Sequence, residues 1–178
     1  MNIDHISELS QYWRAIIIHN IINMPTQGLQ VLCPDSDPRQ TVHYYLHDYY
    51  PLCKQINLLK NDRYFCDAPR MNWQPCSDCQ YYSGQQQTYA FHQQFFSDQR
   101  VLLAAPSSFV RNYYLSAFPT LSPERICVFP HLRYSLITSA KQSFKGRVAF
   151  CGSQAWHKGW PDFVDLVSVH DKNHNRLI

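Results

Sequence analysis

Five short apolar runs, rich in β-branched residues and separated by segments with helical spacing, set the narrowest limits on how this chain can fold. They are Ala15–His19, Thr41–Leu46, Arg100–Ala105, Arg125–Phe129 and Arg147–Cys151. The first, Ala15-Ile16-Ile17-Ile18-His19, has the form of a strand buried on both faces of a parallel sheet. Between the runs, Ser107 or Ser108 is placed to cap a helix whose apolar residues Phe109, Val110, Tyr113, Tyr114, Ala117 and Phe118 share one face before Pro119. Pro161 opens another helix, with Phe163, Val164, Leu166 and Val167 expected on its buried side. Strands alternating with helices in this way predict an α/β fold with a Rossmann-like parallel sheet.

The 178 residues suffice for one domain, or for one and part of a second, and 45% hydrophobic content suits a packed core. Sixteen Lys and Arg against thirteen Asp and Glu give a charge of +3 without a dense basic block, so nucleic acid is not expected as a partner. Twelve tyrosines, several in pairs such as Tyr44-Tyr45 and Tyr113-Tyr114, suit both cores and sugar-facing clefts. No stretch approaches the roughly 18 apolar residues of a membrane span, and no basic segment leads into an apolar one at the start, so a cytoplasmic protein is expected.

Residues 49–87 differ in kind. Few apolar residues recur periodically there, and Pro51, Asn57, Asn61, Pro69, Asn72, Pro75 and Gly84 break the pattern, so this is a long excursion from the sheet. It carries Cys53, Cys66, Cys76 and Cys79, with the Cys76-Ser77-Asp78-Cys79 knuckle at ligand spacing. Four thiolates around a structural zinc would crosslink such a loop and replace missing hydrophobic burial. Unpaired structural thiols and a redox pair are the alternatives. Lys54, Lys60, Arg63 and Arg70 are placed either to offset thiolate charge or to form a solvated face. Cys33, Cys127 and Cys151 adjoin apolar runs and are expected in the core.

Two further constellations bear on chemistry. His47-Asp48 ends the second run, where open α/β sheets place their ligands, and His19-Asn20 ends the first in a similar position. A histidine there either serves a substrate, as hydrogen-bond donor or base, or is hydrogen-bonded within the fold. The loop Gly152–Pro161 links the fifth run to a helix, and its backbone N–H groups together with Lys158 would suit a phosphate. A surface lysine is the plainer reading, since neither the P-loop order nor the dinucleotide fingerprint is present.

The segment His43 to Leu59, with its His-Asp pair and the following Cys66 and Cys76-Ser77-Asp78-Cys79, resembles bacterial glycosyltransferases of the GT-B type, which have two Rossmann-like domains and a nucleotide-sugar donor. Ala105-Pro106-Ser107-Ser108-Phe109, Ile126 to His131, and Phe150-Cys151-Gly152 through Gly159 are similar to later junctions of that family. The resemblance implies a partial acceptor-side domain over 1–131, a linker over 132–146 and the first βα unit of a donor-binding domain over 147–178. It implies His47 as the catalytic residue, and Asp48, Ser107, Gly152, Lys158 and Gly159 as substrate-binding, with Lys158 on the donor diphosphate. It also implies a glycan or cell-surface polysaccharide acceptor, no catalytic metal, and a location in the cytoplasm or at the inner face of the membrane. The family's first strand and nucleoside-gripping acidic region have no counterpart here, so a fragment completed by another chain is expected. A noncatalytic zinc-stabilised module serving a partner chain is the alternative function.

Overall fold

The computed structural model describes residues 12–19, 21–22, 28–29, 39–67, 76–131 and 149–174. The chain divides into two compact units, Met1–Arg133 and Tyr134–Ile178. The first is mixed α/β. Its strands β1 (Ala15–Ile18), β2 (Thr41–Tyr45), β5 (Val101–Ala105) and β6 (Ile126–Val128) form one sheet in the order β1-β2-β5-β6, every pair parallel. The two-residue strands β3 (Leu59–Lys60) and β4 (Tyr64–Phe65) pair as a separate antiparallel hairpin.

This strand order runs one way without reversing. Right-handed crossovers that step in one direction put their helices on the same face. Accordingly α1 (Gln85–Ser97), between β2 and β5, and α2 (Ser108–Ala117), between β5 and β6, cover the face that carries Val42, Tyr44, Val101, Leu103, Ala105 and Ile126, all buried. The opposite face, bearing Ile17, His43, Tyr45, Leu102, Ala104 and Cys127, is half-buried or exposed. The expectation that β1 is buried on both faces therefore does not hold, since Ile17 is 61% exposed while Ile16 and Ile18 are buried. Cys127 shares that open face and is exposed rather than in the core. Cys33 lies outside the described residues.

Helix α1 was not expected from the sequence. Its buried positions Gln85, Thr88, His92 and Phe96 recur at helical spacing, but three of the four are polar, which hides the stripe. Gly84 precedes it with φ +72°, a left-handed conformation that glycine adopts without a Cβ penalty. Phe96 is fully buried and meets Phe118 edge-on at 5.1 Å, while Tyr89 and Tyr114 stack on Phe118. A fully buried aromatic ring contributes about 1.5 to 3 kcal/mol relative to exposure. Helix α2 forms as expected: Ser107 caps it by accepting a hydrogen bond from the Val110 N–H at 3.3 Å, and Phe118-Pro119 ends it.

In the second unit a 3-10 turn, Trp156–Lys158, leads through Gly159 (φ +77°) into α3 (Trp160–His174). Phe150, Trp160 and Phe163 pack with ring centroids 5.2 to 5.6 Å apart. That small aromatic group selects Trp160, Phe163 and Val167 as the half-buried stripe, whereas Val164 and Leu166, expected inside, are exposed. Ala149, Phe150 and Cys151 are irregular instead of ending a fifth strand, and Cys151 is exposed. Arg147, Val148 and the linker over 132–146 lie outside the described residues. Among the described residues no helix is long and apolar enough to cross a membrane.

Candidate functional site at the carboxyl edge of the sheet

Parallel strands bring all their carboxyl ends to one edge, so the residue following each strand shares a neighbourhood with residues distant in sequence. Here that places three histidines together. His19 follows β1, His47 follows β2 and His131 follows β6. His19 Nδ1 and His47 Nε2 are 2.9 Å apart, so one ring donates its N–H and the other accepts. The His19 and His47 rings stack at 5.2 Å, and His47 and His131 at 4.8 Å. Tyr45 extends the group, lying 4.6 Å from His19 and 6.1 Å from His47 with nearly parallel planes, and Phe129 meets Tyr45 edge-on. All three histidines are exposed.

The loop after β2 is held firmly. Asp48 Oδ1 accepts from the Tyr50 N–H at 2.8 Å, and the Tyr114 hydroxyl donates to the Asp48 carbonyl at 2.8 Å, which ties the loop to α2. Asp48 thus organises the turn that presents His47, an arrangement typical of Asp at the start of a tight turn. Protonation of His47 is disfavoured, first by burial and then by the nearby His131 and His19, with Asp48 opposing. Below this edge, on the open face of the sheet, a cleft of about 350 Å³ is lined by His43, Tyr45, Leu102 and Phe129 among others. Tyr45 and Phe129 belong to both the cleft and the ring stack.

The thiols form a second focus within the same unit. The turn over 49–56 carries Cys53; the Cys66 N–H and thiol both donate to the Leu58 carbonyl, closing the β3–β4 hairpin. The knuckle is closed by Cys79 N–H to Cys76 O at 2.8 Å. Hairpin and knuckle are stapled by polar contacts: Lys60 to Asp78, the Gln80 N–H to Asn61 Oδ1, and Gln80 Nε2 and the Tyr81 hydroxyl to Asp62 Oδ2. Asn61 and Asp62 both have positive φ at the hairpin tip, a conformation that Asn and Asp tolerate better than most residues.

Burial pushes the Cys53 thiol up to about 12, a hydrogen bond from the Gln55 backbone opposes this, and Cys66, Cys76 and Cys79 add to it. Burial and the neighbouring Cys66 and Cys79 raise Cys76, with Lys60 opposing. Cys53, Cys66, Cys76 and Cys79 come from three stretches, and among the described residues none of them forms a disulfide. A divalent cation among them would reverse this balance by favouring the thiolates. The donor chemistry fits zinc, although among the described residues no three His, Cys, Asp or Glu side chains stand grouped to hold a metal as they are. Of the expected counter-charges, Lys60 faces the knuckle, Lys54 Nζ donates to the Ser83 carbonyl, and Arg70 lies outside the described residues.

The structure brings His47, Asp48 and the four cysteines into one unit with His19 and His131. Ser107 begins α2 at the end of β5, with its hydroxyl used as the cap. Gly152, Lys158 and Gly159 belong to the second unit. There Lys158 is exposed on the 3-10 turn, and Gly159 closes that turn, its N–H donating to Trp156 O at 3.0 Å. The sequence does not single out His131 as a site residue, because it falls at the end of the Ile126–His131 junction, just before the linker. The available signal was that one apolar run ends in histidine and two more are followed by histidine, at once or after a single proline. Comparison with protein-family models, with curated proteins and with solved structures finds no match for this chain.

Proposed function

We propose that this chain is a GT-B-type glycosyltransferase or a split piece of one, with a Rossmann-like acceptor-side sheet and the first βα unit of a donor-binding domain, transferring sugar from a nucleotide-sugar donor to a glycan or cell-surface polysaccharide. On this reading it acts in the cytoplasm or at the inner face of the membrane. The observation that supports it most is His47, held exposed at the carboxyl edge of a parallel sheet by a loop that Asp48 and Tyr114 rigidify. A histidine kept neutral there suits removal of a proton from an acceptor hydroxyl as it attacks the sugar carbon. Lys158, in the second unit, would hold the donor diphosphate and stabilise it as it leaves.

The test is calorimetric titration with UDP, GDP and their nucleotide sugars, followed by assay of nucleoside diphosphate release. A charged hydrogen bond to phosphate is worth about 1.5 to 3 kcal/mol, so Lys158→Ala should bind roughly ten to a hundred times more weakly. His47→Ala should bind donor normally and lose turnover. Well-folded protein that binds no nucleotide overturns the reading.

Cys53, Cys66 and the Cys76-Ser77-Asp78-Cys79 knuckle, carried by one loop excursion of the first unit, are the observation behind a second reading, a zinc-stabilised interaction module. It predicts one zinc per chain by elemental analysis, lost in Cys76→Ser, and no nucleotide affinity.

A further inference from the structure

We propose that His19, His47 and His131 together bind a phosphate-type oxyanion at the carboxyl edge of the sheet, taking up protons as they do so. The site goes beyond the transfer reading and does not depend on it. Three imidazoles from three separate loops stand within 5.2 Å of their neighbours, exposed, and share a single N–H in the 2.9 Å contact between His19 and His47. Two positively charged rings at that spacing would repel each other. An oxyanion seated against the rings removes the repulsion and supplies acceptors for every N–H that protonation creates. Asp48 is the carboxylate that acts on His47, and its Oδ1 is engaged by the Tyr50 N–H. Strand order adds to the positive field: β5 lies between β2 and β6, so His47 and His131 flank the end of β5, where α2 begins. The first turn of α2 carries no acidic residue to neutralise its dipole.

The ligand is defined by its chemistry, a tetrahedral dianion, whether carried by a nucleoside diphosphate or by a sugar phosphate. Sulfate is the primary probe because it stays doubly charged throughout the range in which histidine titrates. Calorimetry of the full chain with sulfate should show at least tenfold tighter binding near pH 6 than near pH 8, with a heat that depends on the buffer's ionisation enthalpy, the signature of proton uptake. His131→Gln and His19→Gln, both at exposed positions, should each weaken sulfate binding while leaving the circular dichroism spectrum unchanged. Parallel titrations with UDP and with glucose 1-phosphate, competed by sulfate, decide which source the site prefers. Sulfate binding that is equal at both pH values, or unchanged when all three histidines are replaced, overturns the proposal, as does absence of binding near pH 6.

Discussion

The sheet with its helices and the Cys-rich excursion are held by different physics, although they share one unit. The sheet region is closed by apolar burial, with Phe96, Phe118, Tyr114, Leu103 and Val42 almost wholly removed from water. The excursion anchors Leu52 and Leu58 in that core but leaves Tyr64 and Phe65 more than half exposed, and its outer part is held by backbone turns and by the Asp62 and Asp78 carboxylates. Apolar burial is non-directional and tolerates repacking, whereas a polar staple depends on each partner being present. The first region should therefore unfold as a block and the second should open locally.

The largest effect that would test this contrast is Phe96→Ala. Removing a fully buried ring should cost about 3 to 5 kcal/mol and lower the urea midpoint of the whole unit. A loss confined to the excursion would break the comparison. Acid should produce the next effect through His92, which is buried on α1 with Nδ1 2.7 Å from the Thr88 carbonyl and Nε2 without a partner among the described residues. Burial lowers its pKa from the ordinary 6.5 to about 4. The folded form binds the proton less tightly than the unfolded chain, so stability present above pH 6.5 is lost as pH falls towards 4. The loss amounts to roughly 3 kcal/mol. Urea titrations across this range should show that slope, and His92→Leu should flatten it.

A smaller effect is expected where the two regions join. Gly84 has φ +72°, and an added Cβ would lie 2.9 Å from Lys54 Nζ, the atom that donates to Ser83 O. Gly84→Ala should cost on the order of 1 kcal/mol by thermal melting, with the lysine end moving aside. Asp62→Ala should have the smallest global effect. It removes the acceptors for Gln55, Gln80 and Tyr81 at an exposed site, so the melting temperature should barely change. Proteolysis between the hairpin and the knuckle should nevertheless become faster. A large global loss would show that the excursion supports the core.

Much of the α/β pattern was legible because strands β1, β2, β5 and β6 are short apolar runs, and α2 has both its cap and its stop in view. Helix α1 was not, because its inward face is Gln85, Thr88 and His92. Their burial makes sense only once Gln85 Nε2 donates to the Leu52 carbonyl and its Oε1 accepts from the Lys54 N–H. Such partners lie about thirty residues away and leave no local trace. His47 could be singled out by its place after a strand, while His131 needed the strand order to bring it beside His47.

Local chemistry alone specified where the four strands of the sheet form and where α2 starts and stops, because capping and periodicity act over a few residues. The tertiary structure decided which face of the sheet is covered and which three histidines meet. Both follow from strand order, a long-range choice settled by how the crossovers pack, and no short window of sequence encodes it.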